Sequence, residues 1–476
     1  MINLLVGRKL TISGLTPEMT RKIKQSLVLD NPKFYILERM GKYTGDTPRQ
    51  FKYYKEKPGK LIVPRGIVDK IIKFVLKSGH AYTIKRKTIL LRTDVLNKNF
   101  EMRNYQTKLI GTMFNEELNA RKNEGVISMT TGAGKTLVSL EVARCLKLTT
   151  TILVPSNFIL QQFKNECIEK FGFEPGIVGG GENNIKDVTV ATFQSLQSNR
   201  LALKELSERT SILIVDECQG VPAEGRARIV QSFRPEYLFG LSGTPDRTDG
   251  RAKAIFFYMG PIIAQYEGEL LKPTVEVIFT KIKLATHVKV RRQVNGREVI
   301  LKKRLDYHEV IDKMIEDKNR NVLISGLAMG EIMTGRKVLV LTKRVAHYKS
   351  MQPKFAHLPG VHFIDSKDPG RNDLLAALKS GLANFNAIFG TTSLLAVGTD
   401  IPALDTLIIA CDIKSSVLTT QSVGRILRLF EGKQDPKIID LCDNNHPTLY
   451  RQYKERERLY IKKGWKVQTP WETYNG

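Results

Sequence analysis

Residues 130–136 read TTGAGKT. Gly132, Gly134, Lys135 and Thr136 form the closing half of the phosphate-binding loop G-x-x-x-x-G-K-[ST]. In such a loop, backbone N–H groups and a helix N-terminus hold phosphates. Lys135 would reach the β- and γ-phosphates, and the hydroxyl of Thr136 would ligate Mg²⁺. The first glycine of the pattern is missing, because Met129 stands in its place. Lying 81 residues beyond Lys135, SILIVDECQG puts Asp216 and Glu217 directly after an apolar run. An aspartate there can hold Mg²⁺ through water, and the adjacent glutamate can orient and activate an attacking water. Alone, G-K-T or Asp-Glu is a common sight at a turn. In this order and at this spacing, the two describe hydrolysis of a nucleoside triphosphate.

Such chemistry needs a strand before each motif and a helix after the loop. GVISM precedes the loop and TLVSLEVARCL follows it. From Arg103 to about Gly268, short apolar runs (TTTILVP, DVTVATF, SILIVDE, EYLFGLSG) alternate with amphipathic segments. These read as buried parallel strands joined by helices. A transition follows to Arg320, with two alternating basic runs in HVKVRRQVNGREVILKKR. Asn295-Gly296 between them signals a hairpin. After Asn321 the strand–helix rhythm returns in KVLVLT, VHFID, NAIFGTT, TLIIAC and KIIDL, and a basic helical tail covers 451–466. Residues 1–100 contain β-rich runs (KLIVP, YTIKRKTILL), one amphipathic helix (GIVDKIIKFVLKSGH) and FKYYKEK, in which aromatics alternate with lysines. That last mixture suits base stacking with phosphate contact, and equally an edge strand with snorkelling lysines. The fold class expected is α/β: two parallel-sheet domains in tandem behind a small basic α+β N-terminal domain. The expected boundaries are 1–100, 101–268, 269–320 for the transition, and 321–476.

Composition narrows the partners. Lys and Arg number 75 against 48 Asp and Glu, a net charge of +27. Residues 1–100 alone hold 22 basic and 7 acidic side chains, +15. A whole domain this basic favours a polyanion, nucleic acid before anionic membrane. No run approaches the 18 or so apolar residues of a membrane span, and no secretory h-region opens the chain. The five cysteines are odd in number and contain no C-x-x-C pair, so neither a disulfide framework nor a zinc site is expected, and a cytoplasmic protein is.

With these residues in view, the chain resembles the superfamily 2 helicases over about Arg103 to Asp443. That family couples ATP hydrolysis between two RecA-like domains to movement along nucleic acid, and it often replaces the first loop glycine. The resemblance implies ATP and Mg²⁺ as cofactors. It implies adenine recognition by Arg103 and Gln106 in RNYQ, and nucleotide contact by Thr131, Gly132, Ala133, Gly134, Lys135 and Thr136. Thr136 and Asp216 would serve the metal. DECQ resembles the D-E-x-H box, with Gln219 replacing His, and LSGTPDRTDG resembles the coupling motif S-A-T at Ser242, Gly243 and Thr244. VPSNFILQQF and ATFQSL imply strand contacts by Pro155, Ser156, Asn157, Thr192 and Gln194. In the second half, VLVLTKRVAH and TTSLLAVGTDIPALD imply strand contacts by Lys343, Arg344, Thr392 and Ser393, and nucleotide contacts by Gly398 and Asp400. QSVGRILR matches Q-x-x-G-R-x-x-R at Gln421, Arg425 and Arg428. Arginines three apart share one helix face and can act on the γ-phosphate as arginine fingers. The DNA-remodelling flavour of GLSGTPDRTDG and GTDIPALD is similar to phage-encoded, UvsW-like helicases of branched DNA. That implies a DNA partner (single-stranded, forked or four-way junction) and a monomer working beside replication, recombination or repair proteins. The alternative it leaves open is a duplex translocase that separates no strands.

Overall fold

The computed structural model describes the chain except residues 98–99, 115–122, 131–132, 244–249, 269–270, 281, 285–286, 295–296, 305–306, 366–367, 369, 393–400, 414–422, 424–425, 427–429, 431 and 470–476. It divides into two units, Met1–Gly268 and Glu269–Gly476.

The first unit opens with β1 (Ile2–Val6), β2 (Leu10–Ser13), β3 (Val28–Asp30), β4 (Gln50–Lys52), β5 (Lys55–Lys57), β6 (Lys60–Val63) and β7 (Tyr82–Arg86). Five of these form a sheet in the order β5-β6-β2-β1-β7, and β3 pairs β4 in a separate ribbon. The strand period of two buries Ile2, Leu4 and Val6 of β1, and Leu10 and Ile12 of β2. Helices Pro17–Ser26 and Val68–Lys77 cover that face with Met19, Ile23, Val68, Ile71 and Val75. The same core takes in Ala254 and Phe257 from the helix Ala252–Met259, so residues far apart in sequence share one interior. FKYYKEK falls on β4 and β5, where Tyr53 packs edge-on against Phe257 and Tyr258 while Lys52 and Lys55 stay exposed.

A buried charge cluster fastens this sheet to the next. Arg65 Nη2 meets Glu124 Oε1 at 2.5 Å and Arg86 Nη1 meets the same oxygen at 2.9 Å. Arg65 also donates to the carbonyls of Pro235 (2.6 Å) and Glu236 (3.2 Å). Loss of one partner from a buried pair of this kind costs about 3–5 kcal/mol.

The second sheet of the unit has eight strands: β8 (Glu124–Met129), β9 (Thr150–Val154), β10 (Gly176–Gly179), β11 (Glu182–Asn184), β12 (Val188–Thr192), β13 (Ile212–Val215), β14 (Tyr237–Ser242) and β15 (Ile262–Tyr266). Their order is β11-β10-β12-β9-β13-β14-β8-β15, parallel except at β11. β8, β9, β12, β13 and β14 are buried at every position, because helices cover both faces of a parallel sheet. Alternate residues separate into two cores: Ile127, Ile152, Ile214 and Phe239 on one face, Val126, Leu153, Leu213 and Leu238 on the other.

The second unit holds β16 (Thr274–Phe279), β17 (His287–Val294), β18 (Arg297–Arg304), β19 (Val338–Thr342), β20 (Val361–Ile364), β21 (Ala387–Thr391), β22 (Thr406–Ile409), β23 (Lys437–Cys442) and β24 (Lys466–Gln468). Seven of them form a parallel sheet, β20-β21-β19-β22-β23-β16-β24. β17 and β18 pair antiparallel from His287↔Arg304 to Val294↔Arg297; Asn295 and Gly296 lie outside the described residues. Residues read from the sequence as a transition are built into this unit. β16 lies between β23 and β24, and Arg320 is buried against Asp443. A strand inserted between two others far along the chain leaves no local signal of its partners.

Candidate nucleotide site and strand track

Parallel strands bring their C-terminal ends to one edge, where ligands of open α/β sheets bind. Register places Ser128 of β8 beside Ser242 of β14, Gly240 of β14 beside Val215 of β13, and Val154 of β9 beside Thr192 of β12. The loop and the motifs that follow β9, β12, β13 and β14 therefore leave their strands along the same edge.

Met129 is the last residue of β8 and is fully buried in the core. The position where the loop pattern has glycine is here a strand residue with its side chain inward, and the turn begins only after it. The helix Lys135–Leu146 follows, with Gly134 as its left-handed N-cap at φ 77°. A Cβ on Gly134 would also collide with Nε2 of Gln106. Ala133 is buried and its carbonyl accepts from Gln106 Nε2 (3.0 Å) and from the Tyr105 hydroxyl (3.2 Å). Gln106 Oε1 accepts from the Arg103 N–H at 3.1 Å. The helix Asn104–Met113 thus holds the loop by its backbone. Tyr105 in turn stacks on Tyr266, 4.0 Å between centroids and 7° between planes. The aromatic in RNYQ was the signal for this second anchor, and the motif reading passed over it.

Lys135 Nζ lies 3.4 Å from Glu217 Oε1. Glu217 is one of two non-glycine residues with positive φ among the described residues, at 48°, a left-handed conformation that carries strain. Its carboxylate accepts a hydrogen bond from Gln219 Nε2, and Gln219 Oε1 accepts from the Ser242 hydroxyl at 2.8 Å. A hydrogen-bonded chain therefore runs from Lys135 through Glu217 and Gln219 to Ser242 at the end of β14. Asp216 is 7% exposed. Burial first, and then the Glu217 charge, push its carboxyl up to about 7, against the pull of Lys135 and the Glu217 backbone N–H. A carboxyl lifted this far by desolvation is suited to a cation the protein itself does not supply. Thr136 is half-buried at the first turn of the helix. Left-handed Gly134, the 12-residue helix with its N-terminus at the loop, Lys135 and Asp216 fit a magnesium–triphosphate.

Among the candidate strand contacts, Ser156 caps the helix Asn157–Phe171, its hydroxyl accepting from the Ile159 N–H, and Asn157 is exposed beside a half-buried Pro155. Thr192 is 2% exposed and caps the helix Phe193–Ser198, accepting from the Ser195 N–H at 3.1 Å, while Gln194 is exposed. In the second unit, Lys343 Nζ lies 3.5 Å from buried Asp412, Arg344 pairs with Asp312, and Thr392 is half-buried just past β21. Thr131, Gly132, Thr244, Ser393, Gly398, Asp400, Gln421, Arg425 and Arg428 lie outside the described residues.

The family model "Type III restriction enzyme, res subunit" matches residues 99–247. The chain is 26% identical over 365 residues to "DNA 3'-5' translocase XPB2" of Sulfurisphaera tokodaii, covering 70% of this chain and 80% of that one. It is 23% identical over 419 residues to "ATP-dependent DNA helicase uvsW" of Enterobacteria phage T4, covering 80% of each. Among solved structures, the type ISP restriction-modification enzyme LlaBIII bound to DNA matches 78% of this chain and 31% of its own, with TM-score 0.56 at 15% identity; that likeness is one of fold. A G-K-T loop joined through Glu217 and Gln219 to the end of β14, on a parallel sheet of this kind and with these relatives, makes the chain an ATP-dependent nucleic-acid helicase or translocase similar to the XPB and viral helicases.

Proposed function

We propose that the protein is a DNA motor that unwinds or branch-migrates forked and four-way-junction DNA, in the cytoplasm where DNA is replicated, recombined and repaired. The observation that carries this reading is the chain Lys135–Glu217–Gln219–Ser242. It gives the γ-phosphate position a hydrogen-bonded route to the motif that couples hydrolysis to movement. When bound, Mg²⁺–ATP supplies the phosphoryl group and the charge that Lys135, Thr136 and Asp216 hold. Gly134 leaves room for the phosphates at the helix N-terminus, and Lys135 takes the β- and γ-phosphates. Glu217 orients the attacking water and receives its proton. Arg103 and Gln106 bear on the base, and Arg425 and Arg428 are assigned the developing charge on the γ-phosphate. Exposed Asn157 and Gln194 are assigned the strand, with Ser156 and buried Thr192 capping the helices that carry them. Contacts of this kind go mainly to phosphates and are largely independent of sequence.

The names of the relatives divide between translocase and helicase, so the test has two arms. ATP turnover is measured with single-stranded, duplex, forked and four-way-junction DNA and with RNA. Displacement of a labelled strand from the fork is followed alongside. Highest stimulation by branched DNA, with displacement, is expected. Stimulation by duplex alone without displacement would replace helicase by translocase, and no stimulation by any DNA would sink the motor reading.

A further inference from the structure

The seam between the N-terminal sheet and the eight-stranded sheet is a trough with cations on both walls. One part, 420 Å³, lies between the β4–β5 segment, with Lys52 and Lys55, and the helix Glu224–Val230. Lys9 and Gln231 line that part and also a second recess of 630 Å³, which adds Lys87 and Arg234. Lys9, Lys52, Lys55, Lys87 and Arg234 are all exposed, and none makes an ion pair among the described residues. The acids on the lining are Glu208 and Glu224, and Glu224 is taken by Arg228 on its own helix.

We propose that this trough grips the phosphate backbone of a duplex DNA arm, away from the strand track at the sheet edge; this rests on the DNA-motor reading above. A single strand is held by stacking its bases on open aromatic rings. Here the rings are covered. Arg251 lies 5.0 Å over Phe51, Lys24 lies 5.4 Å over Tyr54, and Tyr53 is packed edge-on against Phe257 at 5.3 Å. What the trough offers is cationic charge, and phosphate charge per unit length is about twice as dense on a duplex as on one strand. The two walls are fastened to each other. Arg65 and Arg86 converge on Glu124 at the start of β8, and a Cβ on Gly66 would lie 2.7 Å from the Tyr258 carbonyl carbon. β8 leads into the phosphate loop, and the helix Glu224–Val230 follows closely on the turn Cys218–Gly220 that carries Gln219. A duplex arm seated here is fastened to the elements that bind ATP.

The test compares the full chain with the triple variant Lys9→Gln, Lys52→Gln, Lys87→Gln. Affinity for a short blunt duplex and for a single strand of the same length is measured across a salt series. The slope of log affinity against log salt for the duplex should fall by about 2.7 in the triple variant. The single-strand slope should change by less than one. A double variant, Lys55→Gln with Arg234→Gln, should lower the duplex slope by about 1.8, and thermal unfolding shows whether each variant is folded. A control triple of exposed lysines elsewhere, Lys204→Gln, Lys354→Gln and Lys462→Gln, should leave the slope at the parental value. An unchanged duplex slope in both folded variants, an equal loss on the single strand, or an equal loss in the control each overturns the trough. A parent whose ATP turnover no DNA stimulates overturns the motor reading instead. A stimulated parent whose variants keep its slope removes the trough alone.

Discussion

Two parallel sheets of similar plan treat their buried carboxylates in opposite ways. In the second unit, Asp440 on β23 receives Arg456 at 2.9 and 2.7 Å and the Tyr460 hydroxyl at 2.9 Å. Just beyond that strand, Asp443 receives Arg320 at 2.9 and 3.0 Å and the Thr280 hydroxyl at 2.6 Å. Burial pulls the Arg456 guanidinium down, and Asp440 more than compensates, leaving it raised. In the first unit, Asp216 leaves β13 into an equally buried place, yet makes no ion pair with an arginine among the described residues, and its carboxyl rises to about 7. Buried charge met by the protein's own fork of donors is scaffold. Buried charge left partly uncompensated waits for a ligand.

The largest expected effect tests the scaffold side. Arg456→Met strands Asp440 in the core and should cost about 3–5 kcal/mol of unfolding free energy. Adding Asp440→Leu should recover most of it, since an apolar pair of similar volume carries no desolvation penalty. If the double variant is as unstable as the single, the ion pair is not what holds this region. Next comes the catalytic side. Lys135→Ala or Glu217→Gln should lower ATP turnover by about 100-fold or more, with DNA affinity and unfolding midpoint near parental. Parental turnover in either variant would remove the assignment.

Asp216→Asn sharpens the contrast, because it should stabilise where a scaffold carboxylate would not. In metal-free buffer the folded parent should keep this proton up to about pH 7, whereas the unfolded chain releases it near 3.8, the ordinary aspartate value. The native state binds more protons in that window, so its stability falls as pH rises through it. At pH 8 the variant should be more stable than the parent by about 1–3 kcal/mol, and at pH 4 the two should agree. A variant less stable than the parent at pH 8 would place Asp216 with Asp440. The smallest effect belongs to Gln219→Ala. Loss of the link from Glu217 to Ser242 should reduce strand separation about tenfold, the worth of one hydrogen bond, with ATP turnover falling less. Equal losses in both assays would deny Gln219 a coupling role.

The motif residues were legible because their chemistry is local. A glycine turn, a lysine at a helix start and two acids after an apolar run need only their own neighbours. Thr192 shows the limit of that reading. ATFQSL announces a contact motif, yet the Thr192 hydroxyl is turned inward to cap a helix, and Gln194 two residues on is what reaches solvent. Residues 1–100 show a second limit. Their basic surplus suggests an appended module, and deleting them suggests itself as a test. In the structure they share a core with Phe257 and a buried charge cluster with Glu124, so deletion would open the motor unit, and exposed lysines are the cleaner target. An arginine inside the apolar run LIVPRGIV, and an acid at the front of GVISM, were the available hints. Neither names the other.

By itself the sequence determined the α/β class, the strand–loop–helix around Lys135, the acid pair after β13 that we propose serves a bound nucleotide, and the surplus of positive charge. Each follows from residue type and short-range spacing, which backbone geometry and hydrophobic period convert directly into structure. Tertiary structure alone decided that β16 enters the second sheet between β23 and β24, that Arg65 and Arg86 meet on Glu124, and that Lys9 lines both the recess beside Lys52 and Lys55 and the one that holds Lys87 and Arg234. The Arg65 and Arg86 contacts with Glu124 span 59 and 38 positions, and β16 pairs with strands more than 160 positions further on. Which distant partners meet is set by how whole elements pack, and no local pattern carries that information.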